Sequence, residues 1–275
     1  MKKINNFNFT LWEFVSGKTE DLKSLLRQDN NVIIVRSFLN GREVEKFSGY
    51  GKTLFQDNPG LPLLPRSFYN VHRLLHGNND TAGYYSEVAE FARNNTAYSS
   101  LNLQILDFFE SSGFKLMNKS DHRLSKIPAS TYRIIKKDFA PIHSHCEKYL
   151  LSLYPFCKKI LADCNVDTDI HYSYFVQLTN PQKGGELVLL KTGWNETKKK
   201  NDFLTETLVS EEGIATDLKD IEKYPLRLNP GDLLIFDGGN IWHAISPIES
   251  DDERITFGGF INPSREDANS FFIWS

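Results

Sequence analysis

The chain has 275 residues, is 40% hydrophobic and 24% charged, and carries a formal net charge of −3. That size and balance suit one globular domain with a sizeable core, and the slight acidity argues against a phosphate-backbone partner, which calls for a clear excess of Lys and Arg. Cys146, Cys157 and Cys164 are odd in number without paired spacing, the first ten residues lack an apolar signal core, and no apolar run could span a bilayer; a cytoplasmic protein without disulfides or a membrane partner is expected.

In chain order, Asn31 to Leu39 is rich in β-branched and aromatic residues and predicts a strand. Asn40 then precedes Gly41-Arg42-Glu43-Val44, an N-cap followed by a helix start. From about Tyr84 to Glu110, Val88, Phe91, Leu101, Ile105 and Phe108 fall at helical spacing and predict one or two helices. Asp121 to Ser130 reads as a connection. After it the pattern changes to short β-rich runs: Thr131 to Ile135, His171 to Leu178, Glu186 to Lys191, Leu226 to Leu228, Leu233 to Asp237, Trp242 to Pro247 and Arg254 to Asn262. Turn signals at Asn180-Pro181, Gly184-Gly185, Asn229-Pro230-Gly231-Asp232 and Gly238-Gly239 separate them. Short strands with such punctuation predict a jelly roll or sandwich, here mainly β with flanking helices (α+β). One domain over 1–275 is expected, with an N-terminal region 1–130 of helix and strand and a jelly-roll core over 131–275. The charged, poorly periodic stretch of about 195–223 reads as an insertion over one mouth of the barrel, and Lys198-Lys199-Lys200 within it as a solvated loop.

His145-Cys146-Glu147 is the first cluster with chemistry in it. On an extended segment, residues two apart point the same way, so His145 and Glu147 can reach one ion. A surface pair is the bland alternative, and the tripeptide alone is weak. His243 follows a turn at Pro230-Gly231-Asp232, a buried strand and a second turn at Gly238-Gly239, so a rigid strand delivers it; a lone His there is more often an ordinary core residue. Arg254 enters another apolar strand with Thr256 on the same face. A buried guanidinium is costly unless an anion meets it, either a ligand carboxylate gripped by Arg254 with help from Thr256 or an internal salt bridge, for instance to Glu186. Together, His-x-Glu, a distant His and a following Arg form a two-His, one-carboxylate facial triad with a cosubstrate clamp, the arrangement by which non-haem Fe(II) activates oxygen.

The segments Tyr174 to Leu189, Asn229 to Gly239, Trp242 to Pro247 and Arg254 to Phe260 resemble the Fe(II)/2-oxoglutarate dioxygenase superfamily, and the ending Phe272-Ile273-Trp274-Ser275 is similar too. The likeness is greatest to stand-alone enzymes acting on free small molecules, including the aliphatic halogenases of hapalindole and welwitindolinone biosynthesis. It covers about Thr131 to Ser275; residues 1–130 resemble nothing assignable. The resemblance implies a double-stranded β-helix (cupin-like) fold, with Fe(II), 2-oxoglutarate and O2 as the cofactor set. It also implies iron on His145, Glu147 and His243, with the 5-carboxylate of 2-oxoglutarate on Arg254 and Thr256. Arg133 and Tyr174, on neighbouring strands, are assigned to the cofactor pocket, with Gln177 as a further liner. Those halogenases have Gly where a hydroxylase has its carboxylate; Glu147 stands at the matching position, which implies hydroxylation of an unactivated C–H bond of a small molecule, with 2-oxoglutarate going to succinate and CO2.

A second register is open, because His143 precedes His145 in Pro141-Ile142-His143-Ser144-His145-Cys146-Glu147. His145/Glu147 is preferred: it supplies the carboxylate and leaves the shorter insertion before Tyr174. Desaturation, ring closure or halogenation on the same scaffold is the rival within enzymes. A cupin-like binding module is the rival outside them, and it has no need of both triad and clamp. Trp194 and Trp242 read as core, and Glu186 as structural.

Overall fold

The computed structural model describes residues 2–4, 9–15, 22–28, 31–58, 63–65, 81–119, 124–137, 144–193, 199–200, 207–209 and 215–275. The N-terminal region supplies β1 (Lys2–Ile4), β2 (Thr10–Val15), α1 (Leu22–Leu26), β3 (Asn31–Arg36), α2 (Gly41–Asp57), β4 (Leu63–Leu64), α3 (Thr81–Asn94), α4 (Thr96–Ser111) and β5 (Lys115–Leu116). The remainder contributes β6 (Thr131–Ile135), α5 (Glu147–Leu153), α6 (Pro155–Asp163), β7 (Tyr172–Thr179), β8 (Leu187–Gly193), β9 (Lys199–Lys200), β10 (Thr207–Val209) and β11 (Ala215–Asp217). It ends in β12 (Lys223–Leu226), β13 (Leu233–Phe236), β14 (Ile241–Ile245), β15 (Arg254–Pro263) and β16 (Ser270–Trp274).

Among the described residues, a ten-stranded sheet runs β1-β2-β3-β13-β7-β15-β16-β5, with β6 on β15 and β4 on β6. A three-stranded sheet, β12-β8-β14, faces it. Period-two alternation sorts each strand onto two layers. Leu234, Phe236, Val32 and Ile34 turn inward and pack on Leu187, Leu189, Leu226 and Ile241 of the small sheet. Leu233, Ile235, Ile33, Val35, Val176 and Phe257 turn outward under Phe47 and Leu54 of α2 and Leu101, Ile105 and Phe109 of α4. This is the jelly roll, with helices covering the outer face of its larger sheet.

Most predicted strands hold to within a residue or two. The helical stretch is two helices, broken at Asn95. Asn40 caps α2 through a full capping box with Glu43, so two backbone N–H groups at that end are satisfied. The run Leu226 to Leu228 is a correction. The strand is β12, ending at Leu226, because Arg227 to Asp232 turns so that the Asn229 N–H reaches the Asp232 carboxylate at 2.9 Å. Leu228 is buried as a core residue within that turn. The described part of the 195–223 stretch forms its own small sheet, β11-β10-β9, so Lys199–Lys200 is strand rather than loop. Its Leu208 and Leu218 pack on Cys146, Tyr149, Leu190 and Trp242, behind the strand segments that carry the candidate ligands.

Candidate active site

His145 and His243 face each other in an isolated antiparallel bridge, joined by His145 N–H to His243 O at 2.9 Å and His243 N–H to His145 O at 2.8 Å. Such a doubly bonded pair fixes two backbones where ligands must be rigid. One residue on, Cys146 is still extended (φ −131°, ψ 157°) and α5 opens at Glu147. The H-x-E segment is therefore not a continuous strand, as the sequence reading had it. The same-side geometry survives because only the middle residue need be extended. Cys146 and Trp242, which alternate with the ligands, point away into the cluster beneath the small sheet of the insertion.

The three side chains converge. The imidazole centroids of His145 and His243 lie 4.4 Å apart, His243 Nε2 is 3.5 Å from Glu147 Oε1, and one donor atom from each residue lies within 4.8 Å of the others. His243 Nδ1 sits 2.9 Å from the Ile241 carbonyl. That bond assigns the proton to Nδ1 and leaves the Nε2 lone pair toward Glu147, the tautomer a metal requires. Burial lowers His243 to about 4, which keeps the ring neutral. Burial also raises Glu147, opposed by His145 and by the hydroxyl of Ser173. Among the described residues, buried Glu147 Oε2 has no hydrogen-bond partner, a costly state for an acid oxygen unless a cation meets it. Two imidazole nitrogens and a carboxylate with an unused oxygen fit a non-haem Fe(II) centre.

The clamp candidates lie on the inward face of the large sheet. Thr256 of β15 is opposite Arg133 of β6 and opposite Gln177 of β7, and Arg254 stands two residues before it on the same face. Arg254 is buried, with its guanidinium 4.9 Å from the Phe175 ring. Desolvation, with Arg133 nearby, lowers it to about 9, still protonated at neutral pH. The internal salt bridge to Glu186 does not form: Glu186 Oε2 takes the Ser246 hydroxyl at 2.6 Å. Among the described residues, no carboxylate contributes to the electrostatics of Arg254. Arg254 also lines a small pocket with Gln177, Asn180, Gly185, Glu186 and Leu226.

Tyr174 does not join this set. It belongs to the opposite parity of β7, in the core under α4, with its ring 5.5 Å from Phe109. Its hydroxyl is 2.8 Å from both the Ala129 carbonyl and Ser130 Oγ. That placement corrects its assignment to the cofactor pocket: alternation sends its neighbours Ser173 and Phe175 inward instead. Trp242 is core, as expected. His143 and Trp194 lie outside the described residues. Two residues that sequence reasoning passed over hold Glu147: Ser173 donates to its Oε1 at 2.5 Å, and the Gly238 carbonyl accepts its backbone N–H at 2.9 Å. Ser173 shares the period-two face of Gln177, which was the available signal.

Jelly roll, facial triad donors and buried arginine define the Fe(II)/2-oxoglutarate-dependent oxygenase class, whose cofactor set is Fe(II), 2-oxoglutarate and O2. More narrowly, the chain belongs to the family described as carrier-protein-independent halogenase WelO5, whose profile matches residues 13–275. That match reaches far into the N-terminal region, beyond the stretch where a resemblance was legible. Among solved structures, the epimerase SnoN in complex with Fe3+, alpha ketoglutarate and nogalamycin RO is similar in fold (TM-score 0.50, 11% identity, 88% of this chain and 82% of that one). An N-substituted L-amino acid dioxygenase from Burkholderia ambifaria AMMD also aligns (TM-score 0.44, 13% identity, 94% of this chain and 91% of that one). No curated protein sequence matches the chain.

Proposed function

We propose that this protein hydroxylates an unactivated C–H bond of a free small molecule, with Fe(II) on His145, Glu147 and His243. The 5-carboxylate of 2-oxoglutarate is assigned to Arg254 and Thr256. The overall reaction consumes substrate, O2 and 2-oxoglutarate and yields the alcohol, succinate and CO2. The iron with its cosubstrate supplies the oxidising power; the protein binds, orients and excludes water. The observation that carries the reading is Glu147, a buried carboxylate beside His243 where the resembling halogenases have Gly. In this reading Arg254 holds the cosubstrate because only an anion relieves its burial. Arg133, whose charge is felt at Glu147, His243 and Arg254, is assigned to the same site. The buried free cysteines support a reducing, cytoplasmic setting. Among the described residues, no helix is long and apolar enough to cross a membrane.

Family membership favours one second reading, halogenation, in which a halide takes an iron position. The experiment is anaerobic titration of the metal-free protein with Fe(II) and 2-oxoglutarate, following the visible charge-transfer band with and without chloride. A wild-type band indifferent to chloride, becoming chloride-sensitive in Glu147→Gly, is the expected result. Chloride sensitivity in wild type would turn the assignment to halogenation, and no band despite bound iron would leave a binding module.

A further inference from the structure

Glu147 is held by more than its place at the start of α5. The residue is 2% exposed, and among the described residues its side chain has a single hydroxyl donor, Ser173 Oγ, at 2.5 Å from Oε1. Ser173 lies in the middle of the large sheet, paired with Phe236 of β13 on one side and Phe260 of β15 on the other. Its backbone therefore has little freedom, and a hydroxyl-to-carboxylate bond is of the short, charge-assisted kind.

Gly238 stands against both groups, the carboxylate and the serine hydroxyl. A Cβ there would stand 2.2 Å from Ser173 Oγ, 2.5 Å from Glu147 Oε2 and 2.9 Å from Glu147 Cδ. No left-handed backbone is involved at this glycine; what it provides is room. Its carbonyl also receives the Glu147 N–H, so Gly238 ties down the backbone of Glu147 while leaving space for its side chain. Donor and slot act on the same group from two strands' ends, and neither has another evident task.

We infer that Ser173 is a positioning residue for the Glu147 carboxylate and that Gly238 is its steric seat, together setting where the third ligand of the metal centre stands. This rests on the metal-centre reading above. The consequence is specific: removing the hydroxyl should weaken metal binding through Glu147 and through nothing else. Partners that orient ligating groups typically contribute about 10- to 100-fold in metal affinity.

The test uses Co(II), a redox-silent probe with visible bands, titrated into the metal-free full chain with no 2-oxoglutarate. Wild type, Ser173→Ala, Glu147→Ala, the double variant, His243→Ala and Gly238→Ala are compared, with melting of each metal-free protein as the check on folding. Ser173→Ala should raise the Co(II) dissociation constant about tenfold or more and shift the bands. On the Glu147→Ala background it should change neither. Gly238→Ala should displace the carboxylate and move affinity in the same direction. An unchanged affinity and spectrum in Ser173→Ala, beside a clear loss in Glu147→Ala, would overturn the inference and leave the metal centre standing. An equal loss on both backgrounds would overturn it too, since the hydroxyl would then act independently of Glu147. If Glu147→Ala and His243→Ala both bind as wild type does, the metal-centre reading itself fails.

Discussion

A guanidinium loses most of its hydration when buried, and Arg254 is buried beside a second arginine, Arg133, without a described carboxylate to offset it. Under the proposed function its cost to the empty protein is offset when the cosubstrate's carboxylate arrives, which would make it a selector for an anionic cosubstrate. Arg254→Gln is expected to raise the dissociation constant of 2-oxoglutarate about 100-fold, corresponding to about 3 kcal/mol, in calorimetric titrations of the Co(II)-loaded protein. Co(II) affinity itself should stay within about twofold of wild type, because the arginine touches none of the ligands. Equal 2-oxoglutarate affinity in wild type and variant would remove Arg254 from the cosubstrate site. At this same scale the sequence showed its reach and its limit. His145, Glu147, His243 and Arg254 stood out by residue type, whereas Ser173 and Gly238 did not, because a serine in a strand and a glycine in a turn are ordinary until their neighbour is known.

At the level of elements, the site depends on parity and on caps. One strand, β7, sends Ser173, Phe175 and Gln177 into the barrel and Tyr174 and Val176 into the helix-facing core. Tyr174, assigned to the pocket from its place on a neighbouring strand, thus ends on the other side of the sheet. Elements whose ends carry their own chemistry were read correctly. Helix α2 begins where Asn40 and Glu43 exchange side-chain and backbone hydrogen bonds of 3.1 and 2.9 Å. Asn40→Ala should therefore cost about 1 kcal/mol, seen as a lower denaturation midpoint with unchanged slope, while Co(II) binding stays as in wild type. A loss of metal affinity in that variant would mean that α2 is coupled to the site more directly than its position on the outer face implies.

For the whole molecule, the acid limit of stability follows from a histidine outside the metal centre. His171 is fully buried against Phe260 and Trp274, and its Nδ1 lies 3.2 Å from the Asn262 amide nitrogen. Trp274 Nε1 donates to Asn262 Oδ1 at 2.8 Å, which fixes the amide so that nitrogen faces the ring. An amide nitrogen can only donate, and its two hydrogens serve the Asp167 and Ile170 carbonyls at 2.9 and 2.7 Å, so a proton on His171 Nδ1 would face a donor and the ring is favoured neutral. Desolvation, with Lys148 and His243 nearby, lowers its pKa from 6.5 to about 3. A group whose folded pKa is depressed below its unfolded value binds protons preferentially when unfolded. The neutral form's contribution is complete above about pH 6.5 and is lost as the pH falls toward 3, by roughly 2 kcal/mol at pH 5. Urea denaturation of the metal-free protein should lose stability between pH 7 and pH 4.5, with a smaller loss in His171→Gln, although that variant starts less stable. Parallel losses in the two proteins would place the acid sensitivity elsewhere.

What the sequence alone determined is what rests on local rules: the alternation and turn residues that make a jelly roll, the cap of α2, and a donor set whose residue types and order are those of a facial triad. These are properties of neighbours along the chain, where spacing and residue type suffice. Tertiary structure alone decided which atoms meet. It brought His145 against His243 across nearly a hundred residues through one backbone bridge, turned Glu147 onto the start of a helix, and put Ser173 and Gly238 beside its carboxylate. It also sent Tyr174 out of the pocket and laid the small sheet of the insertion behind the ligands. The reason is physical: contacts between distant segments depend on strand register and on burial, and a shift of one residue in register exchanges the two faces of a sheet.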